Sequence, residues 1–166
     1  ATALALAAAF AAAPAGAKPS GAQAIHGSAS LNQQGNKLVV TTGNGAGTNH
    51  SAINWQSFSV PTGSVTQFNQ PSASSTSINR VVGSNPSAIF GTLSSNGKLV
   101  LVNPAGIAVG AGAVEDATGF TASTVRMSDA DAVAGRLLFA DGGANLSVGG
   151  QIVARNGDVV LIAGKG

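Results

Sequence analysis

The sequence predicts an all-β fold, a right-handed parallel β-helix (a solenoid) with short strands outside the helical stack. Three observations lead there. After Lys18 the chain breaks into short runs of Val, Ile and Leu divided by Gly- and Asn-containing corners. No amphipathic helical stretch of useful length follows residue 17; the nearest, Ala111 to Ala117, is short and broken by glycine. The strands also return at intervals of roughly 20 residues, a solenoid-like period. Small residues at tight corners with β-branched residues inside suit stacked parallel strands. A β-sandwich is the alternative, because strand spacings of about 8–12 residues fit it too.

The first 17 residues stand apart from the rest. Ala1 to Ala13 is an apolar, alanine-rich run with Leu4, Leu6 and Phe10, followed by Pro14-Ala15-Gly16-Ala17 and the first charge, Lys18. An apolar core ending in small-x-small is the pattern of a secretory signal peptide. Cleavage is expected after Ala17, with Ala24 the second choice. The run is shorter than the roughly 20 apolar residues a membrane helix needs, and no other segment is expected to span a bilayer. Without an initiating Met or a basic leader segment, the chain reads as a piece of a longer product. Residues 1–17 are then the remnant of a signal peptide, and 18–166 one domain continuing beyond the fragment.

The strands follow in order. Ser28 to Leu31 and Lys37 to Thr42 flank a turn at Gln33-Gln34-Gly35-Asn36, and Gly43 to Gly47 is a loop. Ala52 to Val60 alternates, with Ile53, Trp55 and Phe58 as apolar anchors. Short strands are expected around Val65–Phe68, Ile78–Val82 and Ala88–Leu93. Lys98 to Gly110 reads KLVLVNPAGIAVG. Here the strand Leu99–Val102 enters a sharp Asn103-Pro104-Ala105-Gly106 turn, and the strand Ile107–Val109 leaves it. Pro104 presets φ for the turn, and Gly106 can take positive φ. Asn103 is placed to hydrogen-bond the turning backbone. Later strands are expected around Gly119–Thr124, Arg136–Phe139, Leu146–Val148, Gln151–Ala154 and Asp158–Ala163.

Composition narrows the function classes. Only 8% of residues are charged and the eight Lys and Arg are scattered singly, so no nucleic-acid-binding stripe is present. The absence of cysteine excludes disulfides, thiolate metal sites and a cysteine nucleophile. It also suits a chain that crosses an oxidising periplasm unfolded. Glu115-Asp116 and Asp129-x-Asp131 have the form of the paired carboxylates of a sugar-cleaving enzyme, and the second pair would also suit calcium. A solvated loop is the plainer reading of both. His26 and His50 have neither metal-ligand spacing nor a nucleophile motif and read as surface or turn residues. Gly43–Gly47 and Gly110–Gly112 lack the lysine and the strand-to-helix context of a phosphate loop. Trp55 and Phe58, in an alternating strand, suit a core better than a sugar platform. No catalytic, cofactor or metal site is expected.

Five segments in order carry a family resemblance. They are Ile25-His26-Gly27-Ser28-Ala29-Ser30, Ile53-Asn54-Trp55-Gln56-Ser57-Phe58-Ser59-Val60, Asn79–Gly83 with Ser87–Leu93, Lys98–Gly110, and Phe120–Thr124. Together they resemble the two-partner secretion domain of filamentous haemagglutinin-like exoproteins. Asn103, Pro104, Gly106 and Ile107 match its asparagine-proline-x-glycine-isoleucine signature. Where the family often carries a second asparagine, this chain has Ala105.

The resemblance implies a β-helix at the N-terminus of a large secreted adhesin, haemolysin or contact-dependent toxin, and not an enzyme. It implies recognition in the periplasm by an outer-membrane β-barrel transporter with periplasmic binding domains, then progressive folding at the cell surface. Asn103, Pro104, Gly106 and Ile107 would shape the corner or meet the transporter. A host or neighbouring-cell receptor or glycan would meet the downstream region. The other class to weigh is a carbohydrate-binding or carbohydrate-cleaving β-helix; the scarcity of acids and aromatics speaks against it.

Overall fold

The computed structural model describes residues 18–165; the apolar run 1–17, with the expected leader and its cleavage site after Ala17, lies outside them. Among the described residues fifteen strands form in chain order. They are β1 (Gln23–His26), β2 (Ser28–Gln34), β3 (Lys37–Gly43), β4 (His50–Trp55), β5 (Val65–Asn69), β6 (Thr76–Val81), β7 (Ser87–Ile89), β8 (Thr92–Ser95), β9 (Lys98–Val102), β10 (Ile107–Val109), β11 (Val114–Ala117), β12 (Gly119–Ser123), β13 (Leu146–Val148), β14 (Gln151–Ala154) and β15 (Val159–Ile162). Among the described residues one short helix, α1 (Asp129–Ala134), interrupts them.

The strands build a parallel β-helix with three faces. One face runs β2-β3-β5-β8-β11-β14, the second β1-β4-β6-β9-β12-β15 and the third β7-β10-β13. The three middle coils each contribute one strand to each face; on the third face the first coil is represented by a bridge from Val60 to Ile89 and the last by a bridge from Lys165 to Asn145. Neighbouring coils pair in parallel, which rules out the sandwich, whose strands pair antiparallel. Two pairings are antiparallel, β2 with β3 and β1 with β4. Both lie at the N-terminal end, where they cover the first coil and leave polar Ser, Asn and Gln on the outermost strand, β2. A polar edge of this kind discourages pairing with other chains.

Register explains the core. On the second face Ile53, Asn79, Leu101 and Ala122 stack in register along the interior, and Leu161 of the last coil extends the row as an exposed residue. Trp55, Phe58, Phe68, Ile89, Leu93 and Phe120 fill the rest of the same cluster. Burying each large side chain of this kind is worth about 1.5–3 kcal/mol. The buried Trp55 indole N–H donates to Asn79 Oδ1 at 2.9 Å, and Asn79 Nδ2 donates to Ser77 Oγ and to the Val100 carbonyl. The polar group inside the stack is thereby satisfied.

The second face is buried on its outer side as well. Residues 124–145 leave the solenoid between β12 and β13 and fold back over Ala52, Ile78, Val100 and Val102, to which they bring Met127, Ala132 and Phe139. This accounts for β9, which reads as a continuous apolar run because both of its sides are covered. The α1 helix starts at an N-cap where Ser128 accepts from the Asp131 amide, and ends at Gly135 in the left-handed region. The strand expected over Arg136–Phe139 does not form; those residues are irregular chain inside this insertion. Ala111 to Ala117, the nearest approach to a helix in the sequence, becomes a turn and β11.

The pairing of β1 with β4 brings together His26 and His50, and the insertion packs against His50. Their rings stack at 4.3 Å with an interplanar angle of 22°. His26 Nε2 bonds Thr48 Oγ1 at 2.9 Å, and His50 Nε2 bonds the Val133 carbonyl of α1 at 2.8 Å. Glycines stand on both sides of the stack: a Cβ on Gly45 would run into the His26 ring, and one on Gly135 into the His50 ring. The pair ties the N-terminal cap, the first coil and the insertion at one point. Burial, and then the charge His50 would carry, lower the His26 pKa. His26 therefore binds its proton less tightly when folded than when unfolded, so its contribution is present above the ordinary histidine range and is lost as pH falls. Acidification from pH 7.5 to pH 5 is expected to lower the protection factors of the β1 amides, measured against the intrinsic exchange rate at each pH, before those of β9. A His26→Gln, His50→Gln double variant should lose that pH dependence; equal acid sensitivity in the variant would exclude the pair as its origin.

Candidate functional site

The asparagine–proline corner lies where the second face turns into the third. Strand β9 delivers Asn103 to the edge and β10 begins at Ile107. Asn103 is fully buried. Its Nδ2 donates to the Asn85 carbonyl and to Ser87 Oγ, both at 2.9 Å, and its Oδ1 accepts from the Ala105 amide at 3.0 Å. Its backbone N–H donates to the Ser123 carbonyl at 2.9 Å, and its carbonyl accepts from Gly106 N–H at 3.1 Å. Gly106 has φ 130, a region side chains rarely enter. Its carbonyl accepts from the Ser87 amide at 2.9 Å, and Ile107 N–H donates to the Asn145 carbonyl at 3.2 Å.

These bonds join three successive coils. Asn85 and Ser87 belong to the coil before Asn103, Ser123 and Asn145 to the coil after it. The side chain of Asn103 thus uses both of its N–H donors and its carbonyl oxygen inside a buried corner. Asn85-Pro86 lies at the same corner one coil earlier but is not the equivalent of Asn103-Pro104: with Ser87 in register with Ile107, Pro86 falls beside Gly106.

Of the signature residues, Gly106 and Ile107 are buried with Asn103, whereas Pro104 and Ala105 are half-exposed. Pro104 and Ala105 line a groove of about 490 Å³ with Arg80, Val82, Arg126 and Met127. Arg80 is held by Asp129 on α1, and Arg126 is exposed. At the folded corner Pro104 and Ala105 are the accessible residues, and Asn103 lies buried behind them.

The other sequence candidates are placed elsewhere. Ile53, Trp55 and Phe58 are core residues, Trp55 and Phe58 meeting edge-on at 5.3 Å. Glu115 and Asp116 point to opposite sides of β11, so they do not converge as a carboxylate pair. Asp116 pairs with Arg155 at 2.8 Å, while Glu115 is 1% exposed inside the solenoid. Burial pushes the Glu115 pKa up to about 8. Asp129 and Asp131 sit on α1 and pair with Arg80 and Arg136 respectively; these contacts hold both carboxyls below their usual range. Among the described residues no group of three His, Cys, Asp or Glu converges to hold a metal, and no helix is long and apolar enough to cross a membrane. Sequence reasoning missed the burial of Glu115 and the His26–His50 stack.

Comparison with known proteins agrees with this geometry. Residues 15–166 match the TPS secretion domain. A heme/hemopexin-binding protein of Haemophilus influenzae is 36% identical over 106 residues, 64% of this chain and 11% of that protein. A second heme/hemopexin-binding protein of that species is 37% identical over 47% of this chain and 8% of its own length. The chain thus spans about a tenth of the curated relatives it matches. The crystal structure of the HMW1 secretion domain from Haemophilus influenzae superposes with a TM-score of 0.75 at 28% identity, over 86% of this chain and 38% of that one. The filamentous hemagglutinin secretion domain superposes with a TM-score of 0.52 at 25% identity, over 67% of this chain and 43% of that one. With its three-faced parallel solenoid and its asparagine–proline corner, this chain belongs to the TPS secretion domain family, the two-partner secretion domains of large exoproteins.

Proposed function

We propose that this domain is the recognition end of a large exoprotein, read in the periplasm by an outer-membrane β-barrel transporter, and that the asparagine–proline corner presents the surface the transporter binds. The observation that carries this reading is the division of labour at the corner. Asn103 is buried and bonded to the coil before it and to its own turn, whereas Pro104 and Ala105 face the groove. The parent protein then reaches the cell surface or medium, and its downstream region meets a receptor or glycan on a host or neighbouring cell. A non-catalytic role is supported by the separation of the acids: Glu115 and Asp116 diverge, and Asp129 and Asp131 are engaged by arginines.

The N-terminal boundary supports a mature chain that begins at Lys18. Ser57 Oγ donates to the Lys18 carbonyl at 3.2 Å, and Ser20 N–H donates to the Ser57 carbonyl at 2.9 Å. Cleavage after Ala24 would remove these contacts and half of β1, which pairs with β4. Mass spectrometry of the secreted protein is expected to find Lys18 first. A secreted product starting at Ile25 would contradict this boundary.

Two classes of variant separate folding from recognition. Asn103→Ala leaves Ser87 Oγ and the Ala105 amide without their partner, and is expected to cost about 1–3 kcal/mol of stability and to reduce export. Ala105→Glu places a carboxylate in the groove without touching a buried bond. It should leave thermal stability near that of Ser74→Ala, a control at an exposed position between β5 and β6, while weakening binding to the transporter's periplasmic domains at least tenfold. Unchanged binding by Ala105→Glu would rule out the groove as the docking surface.

A further inference from the structure

Glu115 is the only ionisable residue among the described residues that the fold buries completely. On the first face it occupies an inward position, stacked in register between Leu93 of the coil before and Ile152 of the coil after. Ala113 and Ala117, buried on either side of it, share the interior. Neither carboxyl oxygen has a hydrogen-bond partner. No cation faces it. Asp116 on its own strand is turned outward to Arg155, Lys98 at the start of β9 and Asp158 before β15 are exposed, and β8, β10, β13 and β14 carry no charged residue. An unpaired carboxylate in such surroundings is costly, so the side chain enters the core as the neutral acid.

We propose that Glu115 couples closure of the fourth coil to the uptake of one proton from water, and so restrains the domain from completing its fold at neutral pH before it is exported. The inference rests on the secretion reading above. In the extended chain the side chain is an ordinary ionised glutamate. When β11 is sealed by β12 and then β14, the carboxylate must take up a proton and become the carboxylic acid. No bond other than O–H is made, and water supplies the proton. Coils in a solenoid add against their neighbours, so one unfavourable inward residue delays every coil that follows it. The position suits such a restraint: the cap and the first three coils precede it in the chain.

The sign of the pH dependence follows from the direction of the shift. The folded pKa, about 8, lies above the unfolded value of 4.5. The stabilisation is thus complete below the unfolded pKa and is lost as pH rises toward the folded one. Urea unfolding of the chain at pH 5.5, 6.5 and 7.5 tests this with Glu115→Gln as the reference. The His26 contribution is common to both proteins and cancels in the ratio. The folding equilibrium constant of the wild type is expected to fall about tenfold per pH unit relative to Glu115→Gln. A constant ratio across the three pH values would overturn the proton coupling, whether or not the variant is stable.

The second arm reads the restraint itself, using the parent exoprotein expressed with its transporter. Glu115→Leu is expected to refold several-fold faster than wild type at pH 7.5 and to be exported in several-fold lower yield. Faster refolding with undiminished export would overturn the restraint. Wild-type export, measured in parallel with and without the transporter, reports on the secretion reading separately.

Discussion

Every coil of this solenoid is held by the coils on either side of it, and Asn103 is where three of them are tied at one point. Its amide reaches back to Asn85 and Ser87, its carbonyl oxygens hold the turn through Ala105 and Gly106, and its backbone N–H reaches forward to Ser123. A hydrophobic side chain of the same size would fill the space yet leave those groups unpaired away from water. Unmade bonds of buried groups cost more than the net worth of made ones. The corner is therefore polar although it is buried, and the half-exposed Pro104 and Ala105 hold their positions because Asn103 does.

The same rule sorts the rest of the interior. Asn79 sits in the middle of an apolar stack and costs little, because Trp55, Ser77 and the Val100 carbonyl satisfy it. Glu115 sits in an equivalent inward position on another face and has no such partners. A secretion domain meets two opposed demands: it must remain transportable as a chain and become a stable stack afterwards. Local coil-on-coil contacts serve the second demand. A single unsatisfied acid in a late coil serves the first, at a point where the cap and early coils no longer depend on it.

Much of the architecture was legible in the chain. Alternation in Ile53–Trp55–Phe58, the run Leu99–Val102 and the Asn-Pro-x-Gly corner each report a local constraint that the fold obeys. What failed to show has a common cause. The insertion of residues 124–145 covers a solenoid face from outside, so its sequence is shaped by distant residues and the stretch Arg136–Phe139 resembles a strand without being one. Ser128, Asp131 and Gly135 did carry the local signals of a helix start and stop, but over six residues these are faint. The His26–His50 stack joins residues whose proximity depends on the cap folding back onto β4. Glu115 was hidden because an acid next to Asp116 reads as solvated. The strand's alternation, which sends the two side chains to opposite faces, was the clue that outweighed charge.

Native-state hydrogen exchange on Asn103→Ala probes most directly whether the corner ties three coils together. If Asn103 is the shared anchor, protection should fall together in β7, β10 and β12, which lie in three different coils, while the β2–β3 hairpin keeps its protection. Loss confined to the amides of residues 103–106, with β7 and β12 unchanged, would contradict it and reduce Asn103 to the local support of one turn.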